Sequence, residues 1–236
     1  MNFLFKQEII DYEYYWSSDT VILFLHGWGG DKHSFASTIN LIKNKYSVLT
    51  LTMPTISPTK EVWDLEDYAR LVSTLLKIHN IKSCAIICHS FGFRVASILK
   101  YKIRIEKIVV TGGAGVRFYN PIKKIENENY QILLKDKRYN YIYDRIASED
   151  YKMLSETNKK TFKNIVNTNT RFIIKFHCPM LLFWGKKDTA TRYKIAKFLK
   201  KKNSAKLITC RDGHFAYLSN EARFNNEVIN FLKSWS

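Results

Sequence analysis

The sequence predicts an α/β fold, a mostly parallel sheet with helices on both faces. Three observations predict it. Short continuous apolar runs such as Val21-Ile-Leu-Phe-Leu25 alternate with longer stretches that are apolar at every third or fourth residue. Glycine-bearing turns follow several of these runs, as expected where a strand buried on both faces hands over to a helix. The chain has 236 residues and a 46% hydrophobic content, enough for one such domain with a sizeable core. No internal repeat, low-complexity segment or interdomain linker interrupts it, so residues 1–236 are expected to form a single domain.

The elements follow in order. Residues 21–25 form a strand, and Phe35, Ile39 and Ile42 place a helix within 31–45. A second strand covers 46–51, and residues 53–60, with two prolines, form a loop. Leu65, Tyr68, Ala69, Val72, Leu75 and Leu76 give an apolar stripe to a helix over 62–79. A strand at 82–88 runs into a tight turn and a helix over 93–101; the next strand is 107–111. Residues 113–175 lack strand signals and are basic and aromatic, with Phe118, Tyr119, Tyr130, Tyr139, Tyr141, Tyr143, Tyr151 and Phe162. Short helices forming a cap over the sheet fit best there. A strand at 180–184, a helix over 192–201, a strand at 206–209 and a closing helix over 221–233 complete the chain.

Composition narrows the function classes. No apolar run approaches the 18 or more residues of a membrane span, and the N-terminus lacks the apolar core of a secretory signal, so a cytoplasmic protein is expected. Cys84, Cys88, Cys178 and Cys210 have neither C-x-x-C nor zinc-ligand spacing and read as buried thiols. Lys plus Arg exceeds Asp plus Glu by 17. The basic residues are scattered and no nucleic-acid-binding motif accompanies them. They read as a solvated surface, with binding of an anionic substrate or an acidic carrier as the alternative.

Four short segments carry chemistry. Ser90 lies in Cys88-His-Ser-Phe-Gly92, between an apolar strand and a helix. Glycine-rich His26-Gly-Trp-Gly-Gly30 follows the first long strand and can turn backbone N–H groups into a site. Asp188 ends Phe183-Trp-Gly-Lys-Lys-Asp188, and His214 lies in Asp212-Gly-His-Phe215. Each follows a separate strand, so all converge on one edge of a parallel sheet. Singly, each has an ordinary alternative: a serine turn or helix cap, a plain glycine turn, a surface acid. As a set they meet the needs of nucleophilic catalysis. A neutral serine needs a base to take its proton, and the base needs an acid to fix its tautomer and stabilise its cation. Asp212, two residues from His214, is poorly placed to reach the far ring nitrogen, which favours Asp188.

The Ser90 segment resembles the G-x-S-x-G nucleophile elbow of the α/β-hydrolase family, with Cys88 in place of the first glycine. The order Ser90, Asp188, His214 is also that family's. The glycine segment is similar to its oxyanion loop, which implies the backbone N–H groups of Trp28 and Phe91 as oxyanion donors. His-Gly-Trp-Gly is similar to bacterial carboxylesterases acting on carrier-linked methyl esters and to a menaquinone-pathway lyase. The stretch from Ser148 to Asn167 looks like one bacterial subgroup of the family. Thr52-Met-Pro-Thr-Ile-Ser57 departs from the family in lacking the glycine-rich loop usual after that strand.

The resemblance implies an α/β-hydrolase fold with a short helical cap at 113–175. It also implies a serine hydrolase that cleaves a carboxylic ester or thioester through an acyl-serine. Ser90, Asp188 and His214 would be catalytic, with no cofactor and no metal. The partner would be a small acyl substrate, anionic or carrier-linked if the charge matters, with no specific nucleic acid and no membrane span. The same three residues could instead serve a C–C hydrolase or lyase, and a noncatalytic binding protein on this fold is the reading from another class. His26, His33, His79, His89 and His177 read as structural or surface residues, and Arg94 as a helix salt bridge in preference to an anion contact.

Overall fold

The computed structural model describes residues 1–118 and 153–233. Among these, eight strands make one sheet in the order β1-β2-β4-β3-β5-β6-β7-β8. They are β1 (Asn2–Phe5), β2 (Glu8–Tyr15), β3 (Val21–Leu25), β4 (Ser47–Leu51), β5 (Ser83–His89), β6 (Arg104–Thr111), β7 (Met180–Gly185) and β8 (Lys206–Cys210). β1 and β2 pair antiparallel with their neighbours, and β3 to β8 are parallel. The helices are α1 (Ala36–Ile42), α2 (Leu65–Ile78), α3 (Phe91–Leu99), α4 (Glu156–Asn167), α5 (Tyr193–Asn203), α6 (Ala216–Ser219) and α7 (Glu221–Lys233). None of the described helices is long and apolar enough to cross a membrane.

Alternate strand residues feed two cores, because side chains in a strand point to opposite faces. On one face Leu23, Leu25 and Ile86 pack with Leu75 of α2, Phe93 of α3 and Leu199 of α5. On the other Ile22, Phe24 and Ile87 pack with Ile39 of α1 and Phe224 and Val228 of α7. This double burial is why β3, β5 and β7 read as unbroken apolar runs.

The structure adds β1 and β2 to the expected strands. Their hairpin turns on Lys6 and Gln7, both at positive φ (47° and 64°), a conformation usually signalled by Asn or Gly. Two long polar residues there hide the turn from the sequence. The helix expected over 62–79 starts later, at Leu65, because Asp64 and Asp67 exchange side-chain-to-backbone hydrogen bonds of 2.8 and 3.0 Å in a capping box. Within the expected cap, α4 lies inside the described residues. Tyr119, Tyr130, Tyr139, Tyr141, Tyr143 and Tyr151 lie outside them.

Two buried histidines give the fold an acid sensitivity. Nε2 of His26 accepts from Met53 N at 2.8 Å, so the proton sits on Nδ1, which faces Gly27 O at 2.6 Å. A second proton would displace the Met53 bond. Burial lowers the His26 pKa to about 4. Burial and the neighbouring His214 lower that of His89 to about 3. Each ring takes up a proton only on unfolding once pH drops below about 6.5, so the folded state loses stability on acidification. The stability is whole above about pH 6.5 and falls by on the order of 3 kcal/mol per ring as pH approaches the folded values. The urea midpoint should therefore drop steeply between pH 6.5 and 4.5. A midpoint that is flat over that range would show that the two rings do not stay neutral in the fold.

Candidate functional site

The parallel strands end at one edge, and the site residues follow directly. Leu25 pairs with Cys88, His89 with Thr111, and Gly185 with Cys210. Strand order reverses around β3, which lies between β4 and β5, and ligands of parallel sheets bind beyond the strand ends at such a point. Ser90 leaves β5 on one side of it, and the loop of His26 to Gly30 leaves β3 on the other.

Ser90 sits at φ 47°, ψ −108°, a backbone conformation rarely adopted by a residue with a Cβ. It is the N-cap of α3, which explains why that helix begins two residues before its expected start. The turn is over-determined. Ser90 N donates to Thr111 O at 3.1 Å, and Ser90 O accepts from Phe93 N at 3.1 Å and Ala114 N at 3.0 Å. Gly92 lets α3 pass close to β3, since a Cβ there would lie 2.2 Å from Leu25 O. Cys88 occupies the first position of the motif without strain. Its side chain is buried in the core, its thiol donates to Val109 O at 3.5 Å, and burial raises its pKa far above the thiol range. It is therefore an inert packing residue.

A hydrogen-bonded chain runs outward from Ser90. His214 Nε2 lies 3.0 Å from Ser90 Oγ, and His214 Nδ1 lies 2.9 Å from Asp188 Oδ2. Asp188 is 4% exposed. Burial pushes its carboxyl up, but hydrogen bonds from His214 and from the Thr191 hydroxyl and amide outweigh this and hold it below the usual carboxylate range. Asp212 is engaged elsewhere, accepting from Asn220 Nδ2 at 2.7 Å. Asp188 is thus the acid beside His214. The arrangement can move a proton from a serine hydroxyl to an imidazole whose far nitrogen is held by a charged carboxylate.

Thr191 was not anticipated. Its N–H donates to Asp188 Oδ1 at 2.7 Å, and its hydroxyl lies 2.7 Å from Asp188 Oδ2, 3.0 Å from Gly112 O and 3.3 Å from His214 Nδ1. The signal was present in Asp188-x-x-Thr191, the spacing at which an aspartate accepts from the amide three residues on. His89 is also placed against the site. Its ring is 4.7 Å from that of His214, and its Nε2 lies 3.3 Å from His214 O.

The glycine loop lies against the elbow. A Cβ on Gly27 would meet His89 Nδ1 at 2.6 Å and Ser90 Cβ at 3.5 Å. Trp28 packs edge-on to Phe91 at 5.4 Å and to Phe162 of α4 at 5.0 Å. Among the described residues the Trp28 N–H has no acceptor, and the Phe91 N–H, in the first turn of α3, has none within its helix. Arg94 departs from its expected salt bridge. It is 8% exposed, and its Nη1 donates to Ile165 O at 2.8 Å and to Thr168 O, carbonyls that end α4. A helix C-terminus presents free carbonyls with partial negative charge, so it holds this buried cation, which meets no carboxylate among the described residues. Among the described residues no group of three or more His, Cys, Asp or Glu is placed to hold a metal.

No protein-family model matches the chain. YugF of Bacillus subtilis (strain 168), named an uncharacterized hydrolase, is 20% identical over 255 residues, spanning 94% of this chain and 93% of its own. Among solved structures, an esterase from Thermogutta terrifontis superposes with a TM-score of 0.71 at 12% identity, covering 96% of this chain and 93% of the other. The esterase EaEST from Exiguobacterium antarcticum gives 0.72 at 15% identity, with 95% and 96% covered. A meta-cleavage product hydrolase from Pseudomonas fluorescens gives 0.70 at 17%, with 100% and 98% covered. The chain has the α/β-hydrolase fold. In α/β-hydrolase terms, Ser90 stands at the strand-to-helix turn after β5, Asp188 after β7 and His214 after β8.

Proposed function

We propose that this chain is a serine hydrolase that cleaves a carboxylic ester or thioester through an acyl-serine intermediate. The observation that carries the reading is the unbroken chain from Ser90 Oγ through His214 to Asp188, at 3.0 and 2.9 Å. Ser90 Oγ attacks the substrate carbonyl as His214 Nε2 takes its proton, and Asp188 stabilises the imidazolium. The Trp28 and Phe91 amides receive the oxyanion, each worth about 3–4 kcal/mol in the transition state. Collapse breaks the ester or thioester bond, and the leaving alcohol or thiol takes the proton from His214. Water repeats the sequence, releasing the acid and restoring the Ser90 hydroxyl.

Within the expected cap, the described helix α4 covers the glycine loop, a reading supported by Phe162 of α4 on Trp28. The excess of 17 basic over acidic residues reads first as a solvated surface, with an anionic acyl substrate, free or carrier-linked, as the alternative that a charge-varied substrate panel tests. The four cysteines, free as thiols, fit a cytoplasmic setting. The test is fluorophosphonate labelling followed by rapid quench on an ester panel varied in acyl length and charge. Labelling at Ser90 and a burst of acyl-enzyme are expected. A folded protein that resists the probe belongs with noncatalytic members of the fold. The solved meta-cleavage product hydrolase makes C–C cleavage the second reading. Turnover without an acyl-enzyme would favour it.

A further inference from the structure

The loop between β4 and α2 has contacts that give it a task. Gly27, Gly29 and Gly30 make the segment after β3 conformationally loose, and Gly29 sits at φ +80°. An oxyanion donor works only if it is fixed before charge develops. Met53 N anchors the start of the loop at His26 Nε2, and on the far side of Trp28 Gly29 N donates to Thr55 Oγ1 at 3.2 Å. Thr55 is 3% exposed and lies in a stretch without regular structure. That stretch is held in turn by Asn158 of α4. Asn158 Nδ2 donates to the carbonyls of Thr55 (3.0 Å), Ile56 (3.2 Å) and Ser57 (2.8 Å), and its Oδ1 accepts from Thr59 N at 3.1 Å. Asn158 is 1% exposed. A buried amide is costly unless its polar atoms are bonded, and here both ends are. Phe162, one turn along α4 on the same face, packs on the Trp28 ring. One face of α4 therefore reaches the glycine loop twice: by Asn158 through Thr55, and by Phe162 directly.

We propose that Thr55 and Asn158 are positioning residues for the oxyanion loop, fixing the Trp28 N–H through the hydrogen bond between Gly29 N and Thr55 Oγ1. This rests on the serine-hydrolase reading above. A staple with a purely structural role would change only how much protein folds. A positioning role changes how well each folded site holds a developing oxyanion.

The test uses the full chain with Thr55→Val, which keeps the shape and removes the acceptor, and Thr55→Ser, which restores it. Active sites are counted by fluorophosphonate titration, kcat and KM are measured on a p-nitrophenyl ester, and Ki is measured for phenylboronic acid. The boronate forms a tetrahedral adduct with an oxygen where the oxyanion would lie. Thr55→Val should lower kcat per titrated site about tenfold and raise the boronate Ki by a similar factor, with KM changed less than about twofold and Thr55→Ser near wild type. Asn158→Asp, which turns an acceptor toward three carbonyls, should move both readouts the same way, and it decides the matter if Thr55→Val does not fold. Unchanged kcat per site and unchanged Ki in an ester-active protein would overturn the positioning role alone. A wild-type protein that neither labels nor turns over esters would overturn the serine-hydrolase reading, and this proposal with it.

Discussion

Ser90→Ala should lower ester turnover more than about 10⁴-fold with KM and fold nearly unchanged, leaving only the contribution of oxyanion binding and substrate positioning. Removing one oxygen has this effect because the rest of the site stays in place. Alanine inherits the strain of φ 47° that serine already bears, and the backbone bonds from Ser90 N and to Ser90 O do not involve the side chain. His214, its side chain 17% exposed, can replace its bond to Oγ with one to water. The loss therefore falls on chemistry and not on stability. Purified Ser90→Ala should keep its thermal midpoint, lose fluorophosphonate labelling and show no acyl-enzyme burst. Turnover within tenfold of wild type would place the nucleophile elsewhere.

Asp188→Asn should cost on the order of 10³–10⁴-fold in kcat, because it fixes the wrong tautomer of His214. The neighbours determine how the new amide lies. Thr191 N donates to Oδ1 at 2.7 Å and accepts nothing, so the amide oxygen must stay there. The NH₂ group then occupies the Oδ2 position, 2.9 Å from His214 Nδ1. Two donors cannot share that contact, so Nδ1 becomes the acceptor and the ring proton moves to Nε2. Nε2 then faces Ser90 as a donor and cannot take its proton. Binding surfaces are untouched, so KM should change little. A variant with nearly full kcat would mean that Asp188 only buttresses the loop after β7, and that the base is oriented by another group.

The site was legible to the extent that it depended on local backbone needs. Ser90, Asp188 and His214 each follow an apolar run, and their order in the chain matches a known arrangement. Cys88 in place of glycine weakened that signal, yet its inward-facing thiol shows that the position asks for a small side chain and not strictly for a glycine. From the sequence Arg94 looks like half of a helix salt bridge, because spacing exposes only partners on the same helix. Its real acceptors, the carbonyls of Ile165 and Thr168, are more than seventy positions away and are backbone atoms of no particular residue type. Thr55 was legible only as part of a loop.

The alternation of apolar runs with helical stripes identified the parallel sheet, since strands buried on both faces cannot hide their composition. The glycines at 27, 29 and 92 marked where backbone had to bend or pass closely. The edge hairpin leaves no turn signal in the sequence because its turn uses Lys6 and Gln7, whose strained φ values are imposed by pairing of the flanking strands. Spacing favours Asp188 as the acid facing His214, but Thr191 and the burial of Asp188 come from the way β6, β7 and β8 lie side by side. The same holds for the link from Asn158 to Gly29. Hydrogen bonds between segments a hundred residues apart leave no periodicity in a chain, and only folding brings their donors and acceptors within reach.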